Sequence, residues 1–131
     1  MNPKVFILSG ILGGVVAILS SMAYYTFSGV QLMKSSEVKK KLKSGEIKHV
    51  IDVRTKMEWN LGHYPNAIHT PTGSYSSDVW NKKVKQHNIQ KDDGIVVYCN
   101  TGQRARNIAE KIAKLGYTKV YYIAGHYSSI M

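Results

Sequence analysis

One stretch, residues 95–115, limits what this chain can fold into, because its hydrophobic period changes along its length. Residues 95–98 are β-branched or aromatic and follow the turn signal Asp92-Asp93-Gly94, which predicts a buried strand. From Ala105 onward, alanine and isoleucine recur at helical spacing, and Gly116 stands where a glycine commonly ends a helix. A strand that leads directly into a helix is typical of α/β proteins.

The segments before and after this unit alternate between the same two patterns. We expect strands at residues 30–33, 49–53, 67–69 and 120–123. We expect a first helix that is capped by Ser35 or Ser36 and ends at Gly45. A second helix should start at the capping box of Thr55 and Glu58 and end at Gly62. A third helix is expected at residues 79–88. This order predicts an α/β fold with a mostly parallel central sheet and helices on both faces.

The amino-terminal part differs from the rest, because residues 5–27 contain no charged side chain. These 23 residues, at a helical rise of about 1.5 Å each, can cross a hydrocarbon core of about 30 Å. We therefore expect a transmembrane anchor at residues 1–28 and a folded domain at residues 29–131. The alternative is a signal peptide, residues 1–23, that is cleaved after Ala23.

Two further expectations concern the anchor. Gly10 and Gly14 form a GxxxG motif, which predicts at most a weak helix–helix dimer. More lysines follow the apolar segment than precede it, so the positive-inside rule predicts a single-pass protein whose folded domain faces the cytoplasm. Cleavage of a signal peptide would instead leave the domain on the exported side.

The composition is strongly basic, with 18 Lys and Arg against 8 Asp and Glu and a formal net charge of +10. The lysines are scattered rather than interleaved with aromatic residues, so we expect no nucleic-acid partner. An anionic substrate or an anionic membrane surface accounts for the sign of the charge. The single cysteine excludes an intramolecular disulfide, and the five histidines show no metal-ligand spacing, so we expect neither a metal nor a cofactor.

Cys99, the only cysteine, lies at the junction between the predicted strand and helix. Backbone N–H groups and the positive end of the helix dipole would surround its sulfur and favour the thiolate over the thiol. Arg104 adds a positive charge one turn away. The polar residues and the glycine that follow Cys99 favour an exposed, reactive thiol over the alternative, a buried and inert cysteine.

Two motifs in this sequence resemble those of the rhodanese family. Residues 51–54 (IDVR), 58–59 (EW) and 62–69 (GHYPNAIH) are similar to the rhodanese signature "DVR…E(W/Y)…GHIPGAIN". Residues 99–105 (CNTGQRA) are similar to the rhodanese active-site loop "CxxGxRA". The resemblance covers about residues 30–127 and implies the fold of a small single-domain sulfurtransferase.

The resemblance implies an enzyme that moves sulfane sulfur through a persulfide on Cys99. Its partners would be a small anionic donor such as thiosulfate and an acceptor such as cyanide or a thiol. The anionic sulfur would be held by the substrate-binding loop, which consists of Asn100, Thr101, Gly102, Gln103 and Arg104. Arg104 would either attract the donor or brace the loop.

The first motif supplies residues for which we expect structural rather than catalytic roles, namely Asp52, Arg54, Glu58 and His63. The chain departs from the family pattern at residues 124–126, so the pocket wall near His126 and Tyr127 is not predicted.

Two other functions are open on the sequence. Rhodanese-like phosphatases and arsenate reductases place five residues between the cysteine and the arginine, whereas four separate Cys99 from Arg104. Membrane-tethered, non-catalytic binding modules of this family commonly lack the cysteine, which this chain keeps. Both observations favour sulfur transfer.

Overall fold

The computed structural model describes residues 30–131, which contain one five-stranded sheet. Its strands are β1 (Val30–Leu32), β2 (Ile47–Asp52), β3 (Ile68–His69), β4 (Gly94–Tyr98) and β5 (Val120–Tyr122). Their spatial order is β1-β5-β4-β2-β3, and every neighbouring pair is parallel. All carboxyl ends therefore share one side of the sheet, the carboxyl edge, and all amino ends share the opposite side, the amino edge. The predicted parallel α/β fold is confirmed.

The connections between the strands are mainly helical. The α-helices within residues 30–131 are α1 (Ser35–Ser44), α2 (Lys56–Leu61), α3 (Ser77–His87) and α4 (Gln103–Lys114). Two short 3-10 turns, Thr72–Ser74 and Tyr127–Ile130, complete this part of the chain. Helix α3 begins earlier than predicted because the hydroxyl of Ser76 accepts a hydrogen bond from the Val79 N–H at 3.1 Å and caps it.

The ends of α1 and α2 follow from local hydrogen bonding. The capping box predicted for α2 is confirmed, since Thr55 and Glu58 exchange side-chain to backbone bonds of 2.9 and 3.2 Å. The serine cap predicted for α1 is wrong. Its N-cap is Lys34, which offers no side-chain cap, and the hydroxyl of Ser35 instead lies 2.7 Å from that of Ser129. Helix α1 ends at Gly45 as predicted.

Helices cover both faces of the sheet, as expected. On one face, Val97 of β4 belongs to a buried cluster with Trp80 of α3 and Ile108 of α4. On the other face, its neighbour Val96 belongs to a cluster with Val38 of α1. Burial of one such side chain stabilises the fold by about 2 kcal/mol, so the central strand is held from both sides. That rigid strand ends directly before Cys99.

No helix within residues 30–131 is long and apolar enough to cross a membrane. The predicted anchor at residues 1–28, the alternative signal peptide at residues 1–23 and the Gly10/Gly14 motif all lie outside the described residues.

Candidate active site

Cys99 lies directly after β4 at the carboxyl edge of the sheet, and its loop leads into α4. The loop curls tightly at Gly102, because this residue adopts a φ of 102°, in the left-handed region that favours glycine. A Cβ atom at Gly102 would lie 3.0 Å from the Cα of Ala124, in the segment after β5. Glycine therefore lets the loop both turn and approach its neighbour.

The sulfur of Cys99 accepts two backbone hydrogen bonds. The N–H of Gly102 donates at 3.1 Å, and the N–H of Ala105 donates at 3.4 Å. Gly102 is the N-cap of α4 and Ala105 lies in its first turn, so both donors are at the positive end of the helix dipole. This arrangement suits a sulfur that carries negative charge.

The thiol is nevertheless buried, with 1% of Cys99 exposed. The expectation of an exposed thiol is therefore wrong, because the sulfur turns inward onto the amides that bind it. The loop around it is exposed as expected, at Asn100, Thr101 and Gln103. The side chains of Thr101 and Gln103 make no hydrogen bond within residues 30–131.

Glu58 of α2 binds two side chains of the active-site loop. Its carboxylate accepts hydrogen bonds from both terminal nitrogens of Arg104, at 2.8 and 3.1 Å, and from Nδ2 of Asn100 at 2.7 Å. The same carboxylate closes the capping box with Thr55. Glu58 was expected only at the helix cap, but it also braces the loop. Of the two roles considered for Arg104, the geometry favours bracing.

The ion pair shifts the pKa of both partners. The hydrogen bond from Arg104, followed by the backbone N–H of Thr55, lowers the pKa of Glu58 to about 2. Glu58 in turn raises the pKa of Arg104, with a smaller contribution from Cys99. Both side chains are thus charged at neutral pH, and the guanidinium lies within electrostatic reach of the sulfur.

A second, fully buried ion pair lies beneath the loop. Asp52 and Arg54 are 0% and 4% exposed, and their side chains meet at 2.9 Å. The hydroxyl of Tyr98 donates to the same carboxylate at 2.5 Å, and Arg54 also donates to the carbonyl of Gly62 at 2.6 Å. Burial, and then the contact with Asp52, raise the pKa of Tyr98 well above its ordinary value. The network ties β2 to β4 and to the end of α2, and a purely structural role for Asp52 and Arg54 stays a prediction.

His63 belongs to an aromatic stack that the sequence did not reveal. The ring of Trp59 lies between those of His63 and His69, with ring centroids 3.5 and 4.6 Å apart. Nδ1 of His63 donates to the carbonyl of Trp59 at 2.9 Å, and Nε2 of His69 donates to that of Arg54 at 2.8 Å. The stack fixes α2, and hence Glu58, against β3.

Tyr127, whose surroundings were not predicted, packs beside the buried pair of Asp52 and Arg54. Its ring centroid lies 5.1 Å from Cζ of Arg54 and 5.8 Å from the ring of Tyr98. The ring of His126 lies 4.2 Å from that of Tyr127 and is exposed. Residues 124–126, where the chain departs from the family pattern, thus lie beside the loop of Cys99 and beside Tyr127, since Ala124 adjoins Gly102 and His126 contacts Tyr127.

Known proteins have sequences similar to part of this chain. Among curated proteins, the tRNA uridine(34) hydroxylases of several Escherichia coli strains are 32% identical to this chain over 75 residues. The match covers 57% of this chain and 21% of the hydroxylase. The chain thus spans about a fifth of the length of these relatives.

Solved structures share the fold. A human single-domain sulfurtransferase matches with a TM-score of 0.58 and 24% identity, over 72% of this chain and 88% of that one. A rhodanese-related protein from Thermoplasma volcanium matches with a TM-score of 0.56 and 23% identity, over 76% of this chain and 90% of that one. A variant of EanB in complex with hercynine matches with a TM-score of 0.59 and 22% identity, over 72% of this chain and 24% of that one.

The family model for the rhodanese-like domain matches residues 34–131, which include both motifs, the whole candidate site and four of the five strands. The chain therefore belongs to the rhodanese-like domain family.

Proposed function

We propose that this chain is a sulfurtransferase that carries sulfane sulfur on Cys99 as a persulfide. One observation carries the proposal, namely the two backbone hydrogen bonds that the sulfur accepts from Gly102 and Ala105, at 3.1 and 3.4 Å. A sulfur carrier is anionic both as thiolate and as persulfide. Fixed N–H donors can stabilise that charge without reorganising during the reaction. Membership in the rhodanese-like family supports the same reaction class.

The proposed cycle consists of two displacements at sulfur. In the first, the Cys99 thiolate attacks the outer sulfur of a small anionic donor such as thiosulfate, the donor's S–S bond breaks, and sulfite leaves with the electron pair. In the second, an acceptor such as cyanide or a thiolate attacks the outer sulfur of the persulfide. The persulfide S–S bond breaks and the electron pair returns to Cys99 as thiolate. The acceptor leaves as thiocyanate or as a new persulfide.

The burial of Cys99 favours small reactants. The sulfur of the closed site is almost inaccessible, since 1% of the residue is exposed. The bonds from Arg104 and Asn100 to Glu58 hold the loop in this closed arrangement. We infer that a brief opening of these bonds admits the donor, and that bulky reagents react slowly.

A phosphatase or arsenate reductase is a weaker candidate for this site. The loop has four residues between Cys99 and Arg104, and its guanidinium already binds the carboxylate of Glu58. An oxyanion held in the loop would compete with that carboxylate for the same donors. Sulfur transfer requires only that the sulfur itself be held.

A direct test follows the sulfur. The full chain is incubated with thiosulfate whose outer sulfur is isotopically labelled, and intact-protein mass spectrometry is used to detect one added label on Cys99. Addition of cyanide should then release labelled thiocyanate. Cys99→Ser should abolish both steps while its circular dichroism spectrum is unchanged. Persistent turnover in that variant would contradict the proposal.

A folded protein that accepts no sulfur from thiosulfate or from a small organic persulfide would instead support the non-catalytic binding module.

Gly73→Ala serves as the matched control for the labelling experiment, since a Cβ there would meet nothing within 4 Å. It should show the labelling of the unmodified chain.

We also propose that residues 5–27 anchor the protein and that the folded domain faces the cytoplasm. The support comes from the sequence, because five lysines lie shortly after the apolar segment and one precedes it. The buried thiol of Cys99 is a poor reporter of location. An exposed cysteine, Asn81→Cys in the Cys99→Ser background, should resist a membrane-impermeant maleimide in intact cells and react after lysis. Labelling of intact cells would place the domain on the exported side.

A further inference from the structure

The amino edge of the sheet carries positive charge that the proposed reaction does not use. Three helices end at this edge, and each has basic residues in its last turn. They are Lys41 and Lys43 of α1, Lys85 and His87 of α3, and Lys111 and Lys114 of α4. The amino end of β2 adds Lys48, and the loops that follow α3 and α4 add Lys91 and Lys119. We call these nine residues the basic edge.

The loops of the basic edge form one continuous surface. The N–H of Thr118, after α4, donates to the carbonyl of Lys91, after α3, at 3.0 Å. Gly94 lies so close to the carbonyl of Glu46, after α1, that a Cβ atom would have no room there. The three loops therefore pack side by side, and their lysines share one face.

Part of the acidic charge on this face is already paired. Glu46 binds Lys41 at 2.8 Å, and Asp93 binds His49 at 2.9 Å. Asp92 is exposed and offsets one of the remaining lysines. Lys41 is held by Glu46, and Lys91 donates to the carbonyl of Leu115 at 2.5 Å. The face as a whole still keeps an excess of positive charge, carried by exposed lysines such as Lys43, Lys85 and Lys114, whose amines suit a mobile array of anions.

The amino-terminal apolar segment joins the domain at this same edge. Strand β1 begins at Val30, which pairs with Val120 of β5. Val120 also pairs with Ile95, near the start of the central strand β4, so Val30 lies at the amino edge. Residues 5–27 end three positions before Val30. Three residues span at most about 10 Å, which is about one Debye length at physiological salt. With residues 5–27 in a bilayer, the basic edge lies within electrostatic reach of its surface.

We propose that the basic edge is a docking surface for the anionic headgroups of a lipid bilayer. The proposal rests on residues 5–27 acting as a membrane anchor and is independent of the chemistry at Cys99. Docking would turn the carboxyl edge away from the bilayer. Cys99 follows Ile95 by four residues, about 13 Å further along the strand, so the active site faces the aqueous phase and is open to small soluble reactants.

Charge and shape favour lipid over nucleic acid as the occupant. Proteins that bind single strands commonly stack bases on exposed aromatic rings. Tyr117, the ring in the loop after α4, is 4% exposed, and Nζ of Lys91 lies 4.7 Å from its centroid. The ring is therefore covered, and the surface presents lysine amines.

The test uses the full chain inserted in lipid nanodiscs, either of phosphatidylcholine alone or with added phosphatidylglycerol, and measures hydrogen–deuterium exchange. We expect exchange at residues 43–48, 88–94 and 115–119 to slow several-fold in the anionic discs only, and to recover in high salt. The variant Lys43→Glu/Lys114→Glu should lose this protection. The matched variant Lys34→Glu/Lys56→Glu, with the same charge change at exposed positions of the carboxyl edge, should keep it.

Several outcomes would overturn the docking surface. One is equal hydrogen–deuterium exchange in discs with and without phosphatidylglycerol. Another is slowed exchange at the loop of Cys99 instead of at the basic edge. A third is failure of the full chain to insert into the nanodiscs. Protection of the same segments by transfer RNA, with none by anionic lipid, would assign the surface to RNA. Sulfur transfer by Lys43→Glu/Lys114→Glu in detergent should match that of the unmodified chain, so loss of docking and loss of the proposed activity remain distinguishable.

Discussion

Arg104 and Glu58 bind each other through two hydrogen bonds, of 2.8 and 3.1 Å, although they are 46 positions apart in the chain. The pair joins the helix that follows Cys99 to the helix that follows β2. Its consequence is that a guanidinium within electrostatic reach of the sulfur is engaged by a carboxylate. The pair therefore braces the loop, and in the proposed reaction Arg104 would meet a donor only after the pair opens.

Removal of either partner should loosen the loop around Cys99. A partly exposed ion pair contributes up to about 1 kcal/mol, so Arg104→Ala and Glu58→Gln should each speed modification of the buried thiol by a bulky maleimide about fivefold. Modification by iodoacetamide, which is smaller, should change less. The measurement is the ratio of the two rates. Arg106→Ala is the control, because its pair with Glu110 lies on the exposed face of the same helix. An unchanged ratio in both site variants would refute the bracing role.

The pKa of Glu58, lowered from 4.5 to about 2, predicts a specific acid sensitivity. A carboxylate with a lowered pKa stabilises the folded state above its unfolded pKa, and this contribution is lost as the pH falls from about 4.5 towards about 2. The difference in unfolding free energy between the unmodified chain and Glu58→Gln should therefore shrink between about pH 5 and about pH 3. Urea unfolding at both values measures it. A constant difference would contradict the prediction.

The buried pair of Asp52 and Arg54 should be costly to break. Asp52→Ala leaves the guanidinium of Arg54 buried without its counter-charge, and should lower the free energy of unfolding by about 3–5 kcal/mol. Tyr98→Phe removes two hydrogen bonds, the one donated to Asp52 and the one accepted from the N–H of Tyr64, and leaves the ion pair in place, so its cost should be about 1–3 kcal/mol. Denaturant unfolding of the two variants gives the comparison. Equal costs would show that the pair itself contributes little.

Gly102→Ala should damage the site more than the fold. The residue has a φ of 102°, and its new Cβ would lie 3.0 Å from the Cα of Ala124. Strain of this kind costs about 1–3 kcal/mol, and the loop can relieve it by moving the N–H that binds the sulfur. We expect persulfide formation from thiosulfate to slow by about tenfold or more. Gly73→Ala, which meets no such contact, should leave the rate unchanged.

Local chemistry explains which parts of the fold were predictable. The capping box of Thr55 and Glu58 and the helix end at Gly45 depend on residues a few positions apart, and both were predicted correctly. The left-handed turn at Asn66, with a φ of 64°, follows from the short side chain that tolerates it. The cap of α1 was missed because Ser35 bonds to Ser129, which is 94 positions away.

The candidate site was predictable in its position but less so in its contacts. The change of period before and after Cys99 places the thiol at the carboxyl edge, and the structure agrees. The burial of the sulfur, the bond from Tyr98 to Asp52 and the second role of Glu58 all depend on contacts between distant segments. Tyr98 offered one usable signal, since a tyrosine at the polar end of a buried strand needs a partner for its hydroxyl.

The stack of Trp59 between His63 and His69 gives the protein an internal optical reporter. Imidazole rings in contact with an indole quench its fluorescence, so we expect weak emission from Trp59 while α2 stays packed against β3. The other tryptophan, Trp80, lies on α3, is fully buried and packs edge-to-face against Tyr117. It contacts no imidazole ring within residues 30–131. A brightening of emission with little shift towards red wavelengths would therefore reveal local release of α2, and with it Glu58, before the core begins to melt.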